Sequence, residues 1–239
     1  MIEFRDVTCR MGGHDVLRGF NLSIGEGETM VLLGRSGSGK TTVLRLINGL
    51  LYPASGAVVV DGRPTSEQDP IRLRRGIGYV IQETGLFPHF TVARNVGLVP
   101  RLEGWAQERI DKRVRELLTM LELAPERFSA RYPRELSGGQ RQRVGIARAL
   151  AADPKLLLFD EPFGALDPVT RAEAQRMFRK LSGQVRKTAV FVTHDVREAL
   201  ALADRIALLR EGKLELIATP DEFRGAETDE ARAFLGSLN

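Results

Sequence analysis

A chain of 239 residues with 43% apolar, 28% charged and 6% aromatic residues can bury a substantial core, and this composition excludes a disordered or fibrous protein. The 35 basic residues are interleaved with 31 acidic ones for a net charge of +4, which argues against a nucleic-acid-binding stripe. Cys9 is the single cysteine, so no intrachain disulfide can form, and a reducing, cytoplasmic compartment is expected. Glu3, Arg5, Asp6 and Arg10 interrupt the first ten positions, so no signal peptide is expected. No run approaches the ~18 apolar residues of a membrane span, and any membrane role therefore needs a separate subunit.

Taken in chain order, positions 2–8 and 16–24 predict antiparallel strands joined at the Gly12-Gly13 turn. Short β-branched apolar runs at 29–33, 57–60, 77–81, 156–159, 189–192 and 205–209, most followed by helical patterns, predict a largely parallel sheet. Between Gln82 and Ser137 no strand is expected; Ile110, Val114, Leu117, Leu118 and Leu121 share one helical face and predict a helical subdomain. Asp167-Pro168 and the capping-box spacing of Thr219 and Glu222 predict two later helix starts.

The first chemical signal is Gly34, Arg35, Ser36, Gly37, Ser38, Gly39, Lys40 and Thr41, a GxxxxGKT run between an apolar strand and a helix that Gly49 stops. This is the pattern of a P-loop. Glycines let backbone N–H groups wrap phosphates, the helix start adds positive potential, Lys40 reaches the terminal phosphates and the Thr41 hydroxyl can ligate Mg²⁺. Thr42 is grouped with these nucleotide-binding residues. A buried strand ending in Asp160 supplies a carboxylate to hold Mg²⁺ through water, and Glu161 stands where it can take a proton from an attacking water.

A second glycine-rich helix start follows Leu136: Ser137, Gly138, Gly139 and Gln140 open a helical run whose apolar face is Val144, Ala147, Leu150 and Ala151. Ser137 can cap that helix while the glycines expose N–H groups to a phosphate. Two phosphate-binding helix starts with only one lysine-bearing cradle make sense if ATP is sandwiched between two copies of the chain.

These residues resemble the ABC ATPase family, whose motifs appear in order over essentially the whole chain. The resemblance identifies Gln82 as the Q-loop, Leu136 to Gln140 as the signature, Asp160-Glu161 as Walker B with its glutamate, Ala165-Leu166-Asp167 as the D-loop and His194 as the switch histidine. It implies an α/β P-loop NTPase cassette: one domain over 1–239, with the catalytic core and an antiparallel β subdomain in 1–82 and 154–239 and a helical subdomain in 83–153. It also implies a head-to-tail dimer in which one copy's P-loop and the other copy's Ser137, Gly138, Gly139, Gln140 and Asp167 hold each ATP. Gln82 would then sense Mg²⁺ and the γ-phosphate, and His194 would hydrogen-bond that phosphate. The family commonly stacks an aromatic residue on adenine where this chain has Met11, whose polarizable sulfur can still pack on a ring.

The loop between Gln82 and Phe90 is expected to dock a transmembrane permease, with Phe87, Pro88 and Phe90 either lining a groove for a short helix of that subunit or plugging the core. Positions 81–89, 99–102, Trp105 and 163–168 are similar to importers of quaternary-amine osmoprotectants such as glycine betaine, choline and carnitine, which implies an extracytoplasmic substrate-binding protein as an indirect partner. Import of another small solute stays open, as does a soluble ABC ATPase acting on nucleic acid, although the latter usually carries a coiled-coil insertion or tandem cassettes. The chain ends at Asn239, where no room is expected for the paired regulatory domain many such ATPases carry. A peripheral position on the inner face of the cell membrane follows from this reading.

Overall fold

The alternation of buried and exposed residues along the first ten positions makes a half-buried strand: β1 (Ile2–Met11) turns inward Ile2, Phe4, Val7 and Cys9 and pairs antiparallel with β2 (His14–Ile24). Phe4 and Phe20 meet edge to face at 5.3 Å across that pair. This computed structural model describes residues 1–82, 85–164, 166–185 and 187–238. The chain divides into two compact units, Met1–Arg74 with Arg186–Asn239, and Arg75–Val185.

In the first unit β3 (Thr29–Leu33) is buried at every position, as a parallel strand covered on both faces must be, and leads through the glycine-rich loop into α1 (Lys40–Ile47). Then β4 (Ser55–Val60) pairs antiparallel with β1, and the two-residue β5 (Arg63–Pro64) pairs with β4. The expectation that 57–60 belongs to the parallel sheet is therefore corrected. A β-branched apolar run encodes a buried strand but not its partner, and Ile2↔Val60 pairing places this one beside the hairpin. The short α2 (Pro70–Arg75) ends the first stretch.

The second unit begins with β6 (Ile77–Val80) and continues through helices α3 (Val92–Val96), α4 (Leu98–Leu102), α5 (Gln107–Met120), α6 (Pro125–Phe128) and α7 (Gly138–Leu150). No strand interrupts the described residues of 82–137, and Ile110, Val114, Leu117, Leu118 and Leu121 are all buried on the expected face. The parallel partner of β6 is β7 (Leu156–Asp160), after which α8 (Pro168–Val185) starts where Asp167 Oδ1 accepts the N–H groups of Val169 and Thr170.

The first unit resumes with β8 (Thr188–Thr193), α9 (Val196–Leu202) and β9 (Arg205–Arg210); β8 and β9 lie parallel on either side of β3. An unexpected antiparallel strand, β10 (Lys213–Ala218), turns back at Glu211-Gly212. The capping box of Thr219 and Glu222 forms and opens α10 (Pro220–Arg224), and α11 (Asp229–Gly236) follows.

Candidate functional site

Register decides what gathers in the first unit. Leu33 pairs with Thr193 on one side and Leu208 on the other, so Gly34 and His194 leave the same C-terminal edge of parallel strands, the place where open α/β sheets take ligands. His194 is exposed there, between Thr193 and the α9 cap Asp195. The loop wraps because glycine is required: a Cβ at Gly34 would lie 2.4 Å from the Leu209 carbonyl, and one at Gly39, whose φ is +103°, would lie 2.7 Å from Leu17 Cδ2.

Gly39 caps α1 without a side-chain hydrogen bond, and the first N–H groups of a helix have no intrahelical acceptor. Lys40 is buried and bends back to donate to the carbonyls of Gly34 at 2.7 Å and Arg35 at 2.8 Å. The Ser38 hydroxyl is buried with no hydrogen-bond partner. A buried ammonium, an orphaned hydroxyl and a helix start converge on one loop, which is the donor set a phosphate chain fits. Thr41 is half-buried and Thr42 buried at the same helix start. Arg35, Ser36 and Gly37 line a pocket of about 340 Å³ with the β9–β10 turn and Glu230, whose carboxylate accepts Arg35 Nε at 2.7 Å. Met11 stands exposed at the hairpin tip opposite His14, while the part of β2 that meets the loop is Val16 and Leu17.

In the second unit Val80 pairs with Phe159, which brings Gln82, Asp160 and Glu161 to the C-terminal edge of β6 and β7. Gln82 is exposed; Asp160 and Glu161 are half-buried, and Tyr79 donates its hydroxyl to Asp160 Oδ2 at 3.3 Å. Glu161 holds a φ of 45°, a left-handed conformation that costs a non-glycine residue about 1 kcal/mol, and its carbonyl accepts the Gly164 N–H. Strain at a carboxylate beside a strand-end aspartate is the kind of outlier that collects at reactive sites.

The signature residues open α7 as a complete capping box: Ser137 Oγ accepts the Gln140 N–H, and Gln140 Oε1 accepts the Ser137 N–H. A Cβ at Gly138 would have ordinary room, 3.6 Å from Leu166, whereas one at Gly139 would lie 2.5 Å from Thr170 Cγ2. Asp167 is held below the usual carboxylate range, first by the Thr170 hydroxyl and then by the Thr170 N–H. Ala165 of the D-loop triplet lies outside the described residues, as do Glu83 and Thr84 after Gln82.

Sequence reasoning missed Glu230, 195 residues from Arg35, and the Tyr79 hydroxyl, because neither partner is marked by local spacing. Thr41 in the first unit, and Gln82 and Asp160 in the second, each carry a hard oxygen donor of the kind magnesium takes.

The strand–loop–helix cradle and a second glycine-rich helix start define a P-loop NTPase of the cassette type. Residues 17–164 match the family model described as ABC transporter, and the chain belongs to that family. It is 50% identical over 226 residues to the glycine betaine/carnitine/choline transport ATP-binding protein OpuCA of Bacillus subtilis, covering 94% of this chain and 59% of that relative. The chain thus spans about three-fifths of the length of that relative. A sulfate/thiosulfate import ATP-binding protein CysA of Caulobacter vibrioides is 45% identical, over 100% of this chain and 70% of that one. Among solved structures, a dimeric post-hydrolysis state of the ATP-binding cassette MJ0796 bound to ADP and Pi superposes with a TM-score of 0.81 at 39% identity, covering 92% of this chain and 99% of the other.

Proposed function

We propose that this chain is the ATP-binding and ATP-hydrolysing subunit of an ABC importer for quaternary-amine osmoprotectants such as glycine betaine, choline or carnitine. The observation that carries the reading is the pair of glycine-rich helix starts, of which only α1 has a buried lysine behind it. The cradle of Gly34, Arg35, Ser36, Gly37, Ser38, Gly39, Lys40, Thr41 and Thr42 binds the phosphates of ATP, with Lys40 turning from its carbonyls to the terminal phosphates. Ser137, Gly138, Gly139, Gln140 and Asp167 of a second copy complete the site, so that ATP closes a head-to-tail dimer and hydrolysis reopens it. Met11 contacts the base.

Thr41, Gln82 and, through water, Asp160 would hold Mg²⁺, which would supply positive charge to the phosphate oxygens. Glu161 takes the proton of the attacking water and His194 donates a hydrogen bond to the γ-phosphate. Positions 83–153 act as the helical subdomain within a single domain, flanked by the core 1–82 and 154–239. The loop from Gln82 to Phe90 docks a short helix of a transmembrane permease: among its described residues Phe87 and Pro88 are exposed, and the Phe87, His89 and Phe90 rings form an aromatic cluster. The subunit works in the cytoplasm on the inner face of the membrane, with an extracytoplasmic binding protein delivering the solute.

Glu161→Gln is expected to bind ATP, lose about 10²- to 10⁴-fold in turnover and accumulate as an ATP-bound dimer. Turnover at the native rate would remove Glu161 as the base. Identity to OpuCA at 50% against 45% to the sulfate relative favours the quaternary amine, and import of another small solute is the second reading. Stimulation of ATP hydrolysis by choline or carnitine in the complex purified with its permease supports the first; stimulation by another solute alone selects the second.

A further inference from the structure

The helix that begins at Ser137 and the loop that follows Gln82 meet inside the second unit at residues that neither motif contains. Arg148 lies on α7 eleven residues after Ser137, about 16 Å along the axis at the helical rise per residue. Its Nη1 donates to the Gly85 carbonyl at 2.7 Å, a charge-assisted hydrogen bond across 63 positions of sequence. Arg148 is half-buried, and burial pushes its guanidinium down from the ordinary value. Gly85 takes a φ of +50°, and a Cβ there would lie 2.4 Å from Ile81 Cδ1, so the backbone path that offers its carbonyl to Arg148 is open to glycine.

The rest of the loop is fastened by Asn95 of α3, which is fully buried. Its Oδ1 accepts the Phe87 N–H at 2.8 Å, and its Nδ2 donates to the carbonyls of Phe87, Phe90 and Thr91 at 3.1 Å each. Helix α3 itself packs on α7. Both ends of the segment 85–91 are therefore mounted on the helix whose first residues form the second phosphate site, Gly85 through Arg148 and the aromatic turn through Asn95 and α3. A helix of 13 hydrogen-bonded residues moves as a stiff rod, so displacement at one end reaches the other.

We propose that Arg148 is a positioning residue that joins the start of α7 to the loop 85–91, so that engagement of the partner copy's ATP by Ser137 is carried to the surface offered to the membrane subunit; this rests on the dimer reading above. In this arrangement the bond between Arg148 and Gly85 matters most when α7 is held by nucleotide, because the loop must then follow the helix instead of fraying from it.

The test is amide hydrogen exchange at Phe87 and Phe90 in the Glu161→Gln chain, with and without ATP, alongside the mass of the species in solution. The expected result is a dimer on adding ATP and roughly tenfold slower exchange at both amides, the scale of one charge-assisted hydrogen bond. Adding Arg148→Met removes that ATP-dependent slowing while the dimer still forms, and Arg148→Lys, which keeps a cation able to reach one carbonyl, restores part of it. Equal slowing in the Arg148→Met chain overturns the inference and leaves the dimer reading standing, as does a Glu161→Gln dimer whose loop exchanges like the monomer. A Glu161→Gln chain that stays monomeric in ATP overturns the dimer reading and this inference together. If Arg148→Met loses its native circular dichroism, Arg148→Gln, shorter and polar, gives the same comparison of ATP-dependent increments.

Discussion

Two glycine-rich helix starts, α1 and α7, look alike in sequence and differ in how their backbone donors are satisfied. At α1 the cap is Gly39 in a left-handed conformation with no side-chain acceptor, and the buried Lys40 donates to the backbone carbonyls of Gly34 and Arg35 within the loop. At α7 the cap is Ser137, and a reciprocal bond to Gln140 already satisfies one donor at each end of the box. The first sets a buried cation and the N–H groups of a glycine-capped helix start on one loop, the donor set an anion fits. The second is stable by itself and lends its remaining N–H groups without a charge of its own. That contrast is what the proposed pairing with a second copy rests on.

The largest effect that could break this contrast is loss of the cation. Lys40→Ala should lower ATP turnover by about 10²- to 10³-fold, the scale of removing one preorganised donor, and weaken ATP binding by the isolated subunit. Steady-state hydrolysis and a nucleotide titration check it, and native affinity in the variant would mean that the loop alone binds. Next come the glycines. Gly39→Ala meets Leu17 Cδ2 at 2.7 Å with φ at +103° and should cost about 2 kcal/mol or more in chemical denaturation. Gly138→Ala has room in the monomer and should leave its melting temperature unchanged or slightly raised, yet block formation of the ATP-bound dimer. Equal destabilisation by both would erase the difference drawn between the two helix starts.

A smaller effect is expected from Ser137→Ala, which removes the α7 cap and should cost about 1 kcal/mol of stability while sparing ATP binding by the isolated subunit. The smallest belongs to Asp167, exposed at the start of α8. Its carboxyl is held below the ordinary range, so its stabilising contribution is present above the unfolded carboxylate pKa and is lost as pH falls through the lower folded value. Asp167→Asn should therefore flatten the acid side of the melting profile; an unchanged profile would assign that slope to other carboxylates.

Much of both helix starts was legible from local chemistry. The GxxxxGKT run, the Ser137 cap, the Asp167-Pro168 start and the α5 face of Ile110, Val114, Leu117 and Leu118 all depend on spacing within a few turns of chain, and each lies where spacing put it. The bonds that needed long reach were not legible. Ala57 to Val60 has the composition of a parallel strand and pairs antiparallel with β1; nothing in the run itself names its neighbour. Arg35 finds Glu230, Tyr79 finds Asp160, and Arg148 finds the Gly85 carbonyl, each between positions far apart in sequence.

The sequence by itself determined the identity of the donors: which backbone groups are freed by glycine, which helix starts are capped and which strand ends carry a carboxylate, since these are short-range consequences of side-chain type. Only the tertiary structure decided their company. Strand register placed Gly34 beside His194 and Asp160 beside the residues before Gln82, because pairing is chosen by the whole buried surface of two strands rather than by either one alone.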